Sequence, residues 1–267
     1  MKSIFQIIFF LISSFTYSQI YTEKELRENG VKEVSILANQ YDNGKITKTT
    51  NCKDFINSFG KSNLFIKYNL NGSIEYQSKT HYIDDGKTSI DTIKENNQIK
   101  YINVYQEDIK ESSFSHFQIK PPHDTIIFQK WFRNKDGKDS VLINKKNNKS
   151  FVFIRNHYDQ NGELTKKETF SENGKILSSK QYKYEILQNC IVHFDNDNQI
   201  NQKICIENNI ETTYFFKNNS GFLYGINLLS EVGGKKVKIR NDKNLISNIS
   251  YFDKTGNLQS EIIFNYR

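Results

Sequence analysis

The chain has 267 residues, a formal net charge of +7, 36% hydrophobic residues and 13% aromatic residues, the last carried almost wholly by Tyr and Phe. A single alanine, Ala38, argues against a helical bundle, because alanine is the best helix former. The basic residues are dispersed, with Lys145-Lys146 and Lys235-Lys236 forming doublets and not patches, which reads as a solvated surface and excludes a nucleic-acid stripe.

Met1 and Lys2 precede an apolar run from Ile4 to Ile12, and Thr16 and Ser18 place small side chains at the −3 and −1 positions before Gln19. This is the pattern of a secretory signal peptide over residues 1–18 cleaved between Ser18 and Gln19. The apolar run is too short for a spanning helix, which needs about 20 apolar residues, and no second such run follows. The mature protein is therefore expected in the periplasm, at the outer-membrane surface or outside the cell, without a transmembrane helix.

Residues 19–60 read as an N-terminal segment with its own character. Thr22-Glu23-Lys24-Glu25 matches a capping box, and Gly30 suits a helix C′ position, which predicts a short helix at about 22–29. Val31 to Gln40 reads as a strand, and Asp54 to Phe59 as a helical turn stopped by Gly60. From residue 61 to 267 the chain reads as β-hairpins. Ile74, Tyr76, Ser78, Thr80 and Tyr82 alternate with polar residues, as do Ile99, Tyr101, Asn103 and Tyr105, then Phe222, Tyr224, Ile226 and Leu228, then Leu258, Ile262, Phe264 and Tyr266 with Ser260 between.

The hairpins share an internal repeat: an aromatic residue, Asp/Asn/Ser, two variable residues, Gly/Asn, one variable residue, then Ile/Leu. It appears as Tyr68 to Ile74, Tyr158 to Leu164, Phe170 to Ile176, Phe194 to Ile200 and Phe252 to Leu258, with looser copies at Tyr41 to Ile46, Tyr82 to Lys87, Phe132 to Gly137 and Phe216 to Phe222. In each unit an Asp or Asn side chain hydrogen-bonds the turning backbone, and Gly or Asn accepts positive φ. The turn residues are Asp159 and Gly162, Asn173 and Gly174, Asp195 and Asn198, and Asp253 and Gly256. A hairpin cannot bury its apolar face alone, so neighbouring hairpins must stack. The expected fold is all-β: stacked antiparallel β-hairpins in an extended, curved meander sheet with a short N-terminal helix.

The Tyr-Asp-x-Asn-Gly-x-Leu units resemble the YD repeats of Rhs-type proteins and the MORN-like repeats of some bacterial antitoxin proteins. The resemblance implies an extended antiparallel sheet with a binding or structural role, and no catalytic residues. The signal and the Asn/Lys-rich composition also resemble exported proteins of Bacteroidetes-type bacteria.

Chemistry-bearing motifs are sparse. Three cysteines, Cys52, Cys190 and Cys205, leave at least one thiol over. Cys190 and Cys205 are equidistant from a turn centred on Asp197 and Asn198, so they face each other across a hairpin. They form either a cross-strand disulfide or two buried thiols. His157 with Asp159 and His193 with Asp195 share strand faces but lack further ligands for a metal. Gly60-Lys61-Ser62 and Gly86-Lys87-Thr88 lack the upstream Gly of a phosphate loop, since Phe55 and His81 stand there. Trp131, Tyr182 and Tyr184 are the aromatics best placed to offer flat faces to sugar rings or to a partner strand.

These features point to an exported, non-enzymatic β-repeat protein with a binding or structural role in the cell envelope, without cofactor or metal, whose partner is an envelope protein or a polysaccharide. A periplasmic immunity or antitoxin-like protein and a polysaccharide-active hydrolase are the alternatives. The hydrolase requires two carboxylates about 5–10 Å apart in a cleft. N-terminal sequencing of the exported protein is expected to begin at Gln19; a mature chain that retains Lys2 refutes the assigned cleavage.

Overall fold

The computed structural model describes residues 21–83, 87–122, 124–146, 149–160, 162–194, 197 and 199–267. The signal segment with its Ser18-Gln19 cleavage site, and the turn residues Asp195 and Asn198, lie outside the described residues. The helix α1 (Glu23–Glu28) is followed by β1 (Glu33–Asp42), β2 (Lys45–Ile56), β3 (Ser62–Tyr68), β4 (Ile74–Ile83), β5 (Thr88–Glu95) and β6 (Gln98–Asp108). Next come β7 (Ser113–Lys120), β8 (Asp124–Arg133), β9 (Asp139–Lys146), β10 (Lys149–Tyr158), β11 (Leu164–Phe170), β12 (Ile176–Gln181), β13 (Lys183–Leu187) and β14 (Cys190–Phe194). The chain ends with β15 (Ile200–Glu207), β16 (Ile210–Phe215), β17 (Asn219–Leu223), β18 (Ile226–Ser230), β19 (Lys235–Arg240), β20 (Ile246–Phe252) and β21 (Leu258–Tyr266). The fold is all-β and antiparallel, with a 19-stranded sheet and a separate two-stranded sheet of β17 and β18.

One turn recurs among the strand connections, beside two-residue turns such as Asn43-Gly44 and Asn96-Asn97. In seven turns among the described residues, the first residue donates its N–H to the carbonyl of the fifth and accepts from the N–H of the fourth; they begin at Asn57, Asn69, Asn134, Asp159, Ser171, Asn241 and Asp253. The fourth residue has positive φ and is glycine in all but one, where Asn244 has φ 59°. The first side chain usually caps the turn: Asn134 Oδ1 accepts from the Asp136 and Lys138 amides, and Asp253 Oδ1 from the Thr255 and Asn257 amides. A local hydrogen-bond acceptor followed by a residue that tolerates αL makes this geometry favourable in sequence after sequence.

Three local expectations are corrected. Asp54 to Ile56 ends a strand and is not helical; Asn57 to Gly60 is another copy of the turn, with Asn57 Oδ1 accepting from Phe59 and Lys61. Phe222 to Leu228 is not one strand but a hairpin, because Tyr224 (φ 49°) and Gly225 (φ 85°) form a two-residue turn with both residues at positive φ, between Leu223 and its partner Ile226. Phe216 to Phe222 is accordingly no turn between neighbouring strands of the large sheet: it runs into β17 and supplies most of that strand.

The chain forms two compact units, residues 1–75, 185–192 and 200–267, and residues 76–184 and 193–199. In the first, β1 pairs with β2 on one side and β21 on the other. Val34, Ile36 and Ala38 of β1 face Tyr266, Phe264 and Ile262 of β21 in register, forming the core with Ile249. The β17–β18 hairpin caps this face. Its Ile226 and Leu228 are buried, and the Tyr224 ring lies 6.1 Å from Phe264 and 6.4 Å from Phe65. Helix α1 carries its capping box, with Glu25 N–H on Thr22 Oγ1 at 3.1 Å and Thr22 N–H on Glu25 Oε2 at 2.7 Å. It buries Leu26 and anchors Glu25 to Arg240 at 3.1 Å. In the second unit, β4 to β12 descend as a meander through consecutive pairings.

Gly60 (φ 81°) lies under α1, where an added Cβ would stand 2.0 Å from the Glu23 carbonyl oxygen, while Gly72 (φ 81°) has open space. Gly72→Ala is expected to cost only the left-handed backbone term, about 1–2 kcal/mol. Gly60→Ala is expected to cost more, because it also displaces α1. Urea unfolding of both variants checks the order; equal losses refute the packing role of Gly60.

Candidate functional site

The second unit has an unusual side-chain partition. On β6 and β7 the aliphatic and aromatic residues Ile102, Val104, Phe117 and Ile119 are only half-buried, while Asn103 (4% exposed), His116 (4%) and Gln118 on the other face are buried. The strand register explains how the polar side chains meet. Thr80, Asp91, Asn103 and Gln118 lie directly opposite one another across β4, β5, β6 and β7. The next row on the same face runs Tyr82, Ser89, Tyr105, His116, Gln129, Asn144 and Phe151 from β4 to β10. Buried polar groups persist where they are hydrogen-bonded, and these rows supply most of their own partners.

Asn103 Oδ1 accepts from Gln118 Nε2 at 3.0 Å and lies 3.2 Å from His116 Nε2, which donates to it in the tautomer that satisfies both groups. Asp91 Oδ1 accepts a hydrogen bond from Ser78 and a longer one, 3.5 Å, from Thr80 Oγ1. Burial raises the Asp91 carboxyl above the usual carboxylate range, against hydrogen bonds from Ser78, Asn103 and Thr80 that favour its charged form. Burial pushes the His116 imidazole down to about 4 despite a hydrogen bond with Gln129, so it is neutral at physiological pH. Tyr105 stacks on His116 at 4.7 Å and 11° and on Phe114 at 5.7 Å and 18°. Trp131 lies opposite Phe114 and Leu142 in the adjoining row. Among the described residues, Asn144 Oδ1 is buried and meets no hydrogen-bond partner.

The first unit holds a second buried carboxyl. Asp54 Oδ2 accepts from Tyr21 Oη at 2.8 Å, and Asp54 Oδ1 accepts from Ser62 Oγ. Burial raises its pKa to about 6 against these two hydrogen bonds. Cys52, a buried free thiol, is pushed up to about 12 by burial.

Cys190 and Cys205 are joined in a disulfide with Cα atoms 4.1 Å apart. The Ile206 N–H donates to the Asn189 carbonyl next to the bridge, so the cysteines occupy a non-hydrogen-bonded position, where side chains stand closest. Asp159, Gly162, Asn173, Gly174, Asp253 and Gly256 sit in the recurrent turn, far apart along the chain, and come together in no common site. In the Phe170 copy the capping role falls to Ser171, whose Oγ accepts from the Lys175 amide and donates to Asn173 Oδ1. The Asp253 carboxyl is held down at about 2, chiefly by the Thr255 hydroxyl. His157 pairs with Glu168 at 2.9 Å, and Glu168 also meets Lys166 at 2.7 Å. Among the described residues no three His, Cys, Asp or Glu side chains are grouped to hold a metal. Tyr184 donates to the Leu164 carbonyl at 2.7 Å and meets His193 edge-on at 4.8 Å.

The polar row was not singled out from the sequence. Its signal is there: Tyr101-x-Asn103-x-Tyr105, Phe114-x-His116-x-Gln118 and Gln129-x-Trp131 alternate aromatic and amide or imidazole groups at period two.

No family model matches the chain, and no curated protein matches it in sequence. Among solved structures, a porin-like protein from Bacteroides uniformis ATCC 8492 aligns over 89% of this chain and 96% of its own at 7% identity, with a TM-score of 0.35. No helix among the described residues is long and apolar enough to cross a membrane.

The two buried groups oppose each other in pH dependence. The folded pKa of Asp54 lies above its ordinary 3.8, so its contribution is full below about pH 4 and is lost as pH rises through 6; at 1.36 kcal/mol per pKa unit this amounts to about 3 kcal/mol. The folded pKa of His116 lies below 6.5, so its contribution is full above about pH 6.5 and is lost as pH falls through 4, again by about 3 kcal/mol. Relative to wild type, Asp54→Asn should gain stability from pH 4 to 7, and His116→Gln should gain it from pH 7 to 4. Denaturant titrations across that range check both; parallel pH profiles for wild type and variant refute the assignment.

Proposed function

We propose that this chain works outside the cytoplasm as a non-enzymatic protein of the cell envelope with a binding or structural role, and that the polar–aromatic side of its second unit gives that role a fixed scaffold. The observation that carries this reading is the hydrogen-bonded cluster of Asp91, Asn103, His116 and Gln118, drawn from two adjacent rows of consecutive paired strands with Tyr105 and Trp131 beside it. Binding groups fixed on strands keep their geometry better than groups on loops. The same cluster supports a non-enzymatic role: Asp91 is engaged by hydroxyl and amide partners and His116 by amides, an arrangement that holds a surface in shape and leaves no acid–base pair in contact. The Cys190–Cys205 bridge supports the location, since structural disulfides persist in oxidising compartments.

Fractionation of cells into cytoplasm, periplasm, outer membrane and medium, with thiol labelling, tests the reading. The expected result is protein outside the cytoplasm with Cys52 alone labelled after denaturation. A cytoplasmic protein with three reduced thiols, or turnover of an envelope polysaccharide by the purified protein, overturns it. The bridge closes a loop of 15 residues. Replacing both cysteines by serine is expected to lower unfolding stability by about 3 kcal/mol, read from the urea midpoint, without displacing the protein from its compartment.

A further inference from the structure

One face of the first unit carries exposed isoleucines at one end and a pair of lysines at the other. Two neighbouring rows of side chains cross β15, β16 and β19. One runs Ile206, Glu211 and Lys238, and the other Ile204, Thr213 and Lys236. The second row continues onto β14 and β13. The Cys190–Cys205 bridge and the hydrogen bond from the Ile206 N–H to the Asn189 carbonyl put Ile191 opposite Ile204. The two-residue connection Gln188-Asn189 then puts Ile186 opposite Ile191, a register that the contact of Tyr184 with His193 shares.

The apolar end is open to solvent: Ile186 is 79% exposed, Ile206 52% and Ile191 39%. Single exposed aliphatic side chains are ordinary, but these are contiguous on paired strands. At the other end, Lys238 Nζ lies 2.8 Å and Lys236 Nζ 3.9 Å from the same oxygen, Glu211 Oε1. Both lysine side chains stay partly open to solvent. Two ammonium groups share one carboxylate, which leaves one positive charge in excess. The strand on the far side adds no counter-charge, since Lys236 and Lys238 stand opposite Tyr251 and Ile249. Burial, together with the neighbouring Lys238, holds the Lys236 ammonium below the ordinary lysine range, a strain that an added anion relieves. From β19 to β13 is four strand spacings of about 4.8 Å, roughly 19 Å, while two residues along a strand span only about 7 Å. The strip is therefore long and narrow, which suits one extended chain and not a bilayer surface.

We propose that this face binds a single-chain anionic amphiphile of the class of long-chain carboxylates, with the head group at Lys236 and Lys238 and the alkyl chain along Ile204, Ile206, Ile191 and Ile186. An apolar strip alone suits any hydrophobic partner, and a lysine pair alone suits any anion. Side by side on one face they match a molecule that carries hydrocarbon and negative charge at opposite ends. The strip gives the binding role proposed above a ligand class and to that extent rests on it. It is built only from residues of the first unit.

Isothermal titration of the mature, disulfide-bonded protein with octanoate, decanoate and dodecanoate, each below its micelle concentration, tests it. Saturable binding is expected, with affinity rising about twofold per added methylene, half the effect of complete burial. Acetate and decyltrimethylammonium should not bind. Replacing Lys236 and Lys238 together by glutamine should weaken all three chain lengths alike, by about fivefold. Replacing the exposed Ile191 and Ile206 by serine should instead flatten the dependence on chain length. If the lysine variant fails to fold, the isoleucine variant decides. Affinity that ignores chain length, equal binding of decyltrimethylammonium, or binding untouched by the variants overturns the strip. So does sedimentation with phosphatidylglycerol vesicles in the absence of dodecanoate binding, which marks a membrane surface as the occupant, or self-association that the isoleucine variant abolishes, which marks a second copy. A protein found in the envelope that binds no alkyl carboxylate loses the strip and keeps its location. A cytoplasmic protein whose dodecanoate binding falls with the variants keeps the strip and loses the location.

Discussion

The backbone ladder between β1 and β21 is the constraint on which the first unit depends. A strand left at a sheet edge exposes unpaired N–H and C=O groups, a template for unwanted pairing. Here the first strand is hydrogen-bonded on both sides, and Lys32 and Glu33 donate to the Arg267 carbonyl at 2.6 and 3.1 Å while Arg267 donates back to Glu33 at 2.9 Å. Because residues more than 200 positions apart must find each other, this ladder carries a large loop-closure cost. The fully buried side chains Val34, Ala38 and Ile262 cluster along it, which is where apolar burial can offset that cost. The β17–β18 hairpin and α1 then seal the surface that the ladder creates.

The second unit answers a different problem. On β6 and β7 the apolar side chains Ile102, Val104, Phe117 and Ile119 occupy the less buried face, and hydrogen bonding fills the buried one. Asn103 takes two donors on one oxygen, Asp91 is held by two hydroxyls, and Tyr105 covers the imidazole. A polar interior of this kind is specific because each group has one place in which it is satisfied. It is also demanding: among the described residues of this unit the buried oxygens of Ser113, Asn144 and Asn156 meet no partner.

Much of the architecture was legible in the residues. The aromatic–Asx–x–x–Gly spacing specified turn chemistry that depends only on local backbone geometry, and the capping box at Thr22 and Glu25 specified α1 in the same way. The errors came where the local signal was shared between two outcomes. Asp54, Phe55 and Ile56 suit a helical turn as well as a strand, and cross-strand pairing with β3 decides for the strand. Tyr224 at positive φ is costly for a residue with a Cβ, so the alternation from Phe222 to Leu228 concealed a reversal that Gly225 alone hinted at. The polar face of the second unit was hardest to read. Period-two alternation places Ile102 and Val104 on one face and Asn103 and Tyr105 on the other, but it does not say which face is buried. Here the buried face is the polar one, and only the neighbouring strands, through their own Asp91, His116 and Gln118, make that choice affordable.

The position of the β17–β18 hairpin has a consequence for how this protein can change over time. β16 and β19 pair directly, Ile210 with Ile239 through Tyr214 with Lys235, although the hairpin lies between them in the chain. The large sheet is therefore continuous beneath an excursion that begins and ends at neighbouring points. Such an arrangement separates a conserved frame from a replaceable insert: a longer or differently decorated hairpin can be accommodated provided it still presents an apolar underside to Phe264 and Phe65. Diversity among descendants of this chain should accumulate in the outward side chains Ser220, Phe222, Asn227 and Leu229, while Tyr224, Ile226 and Leu228 stay fixed.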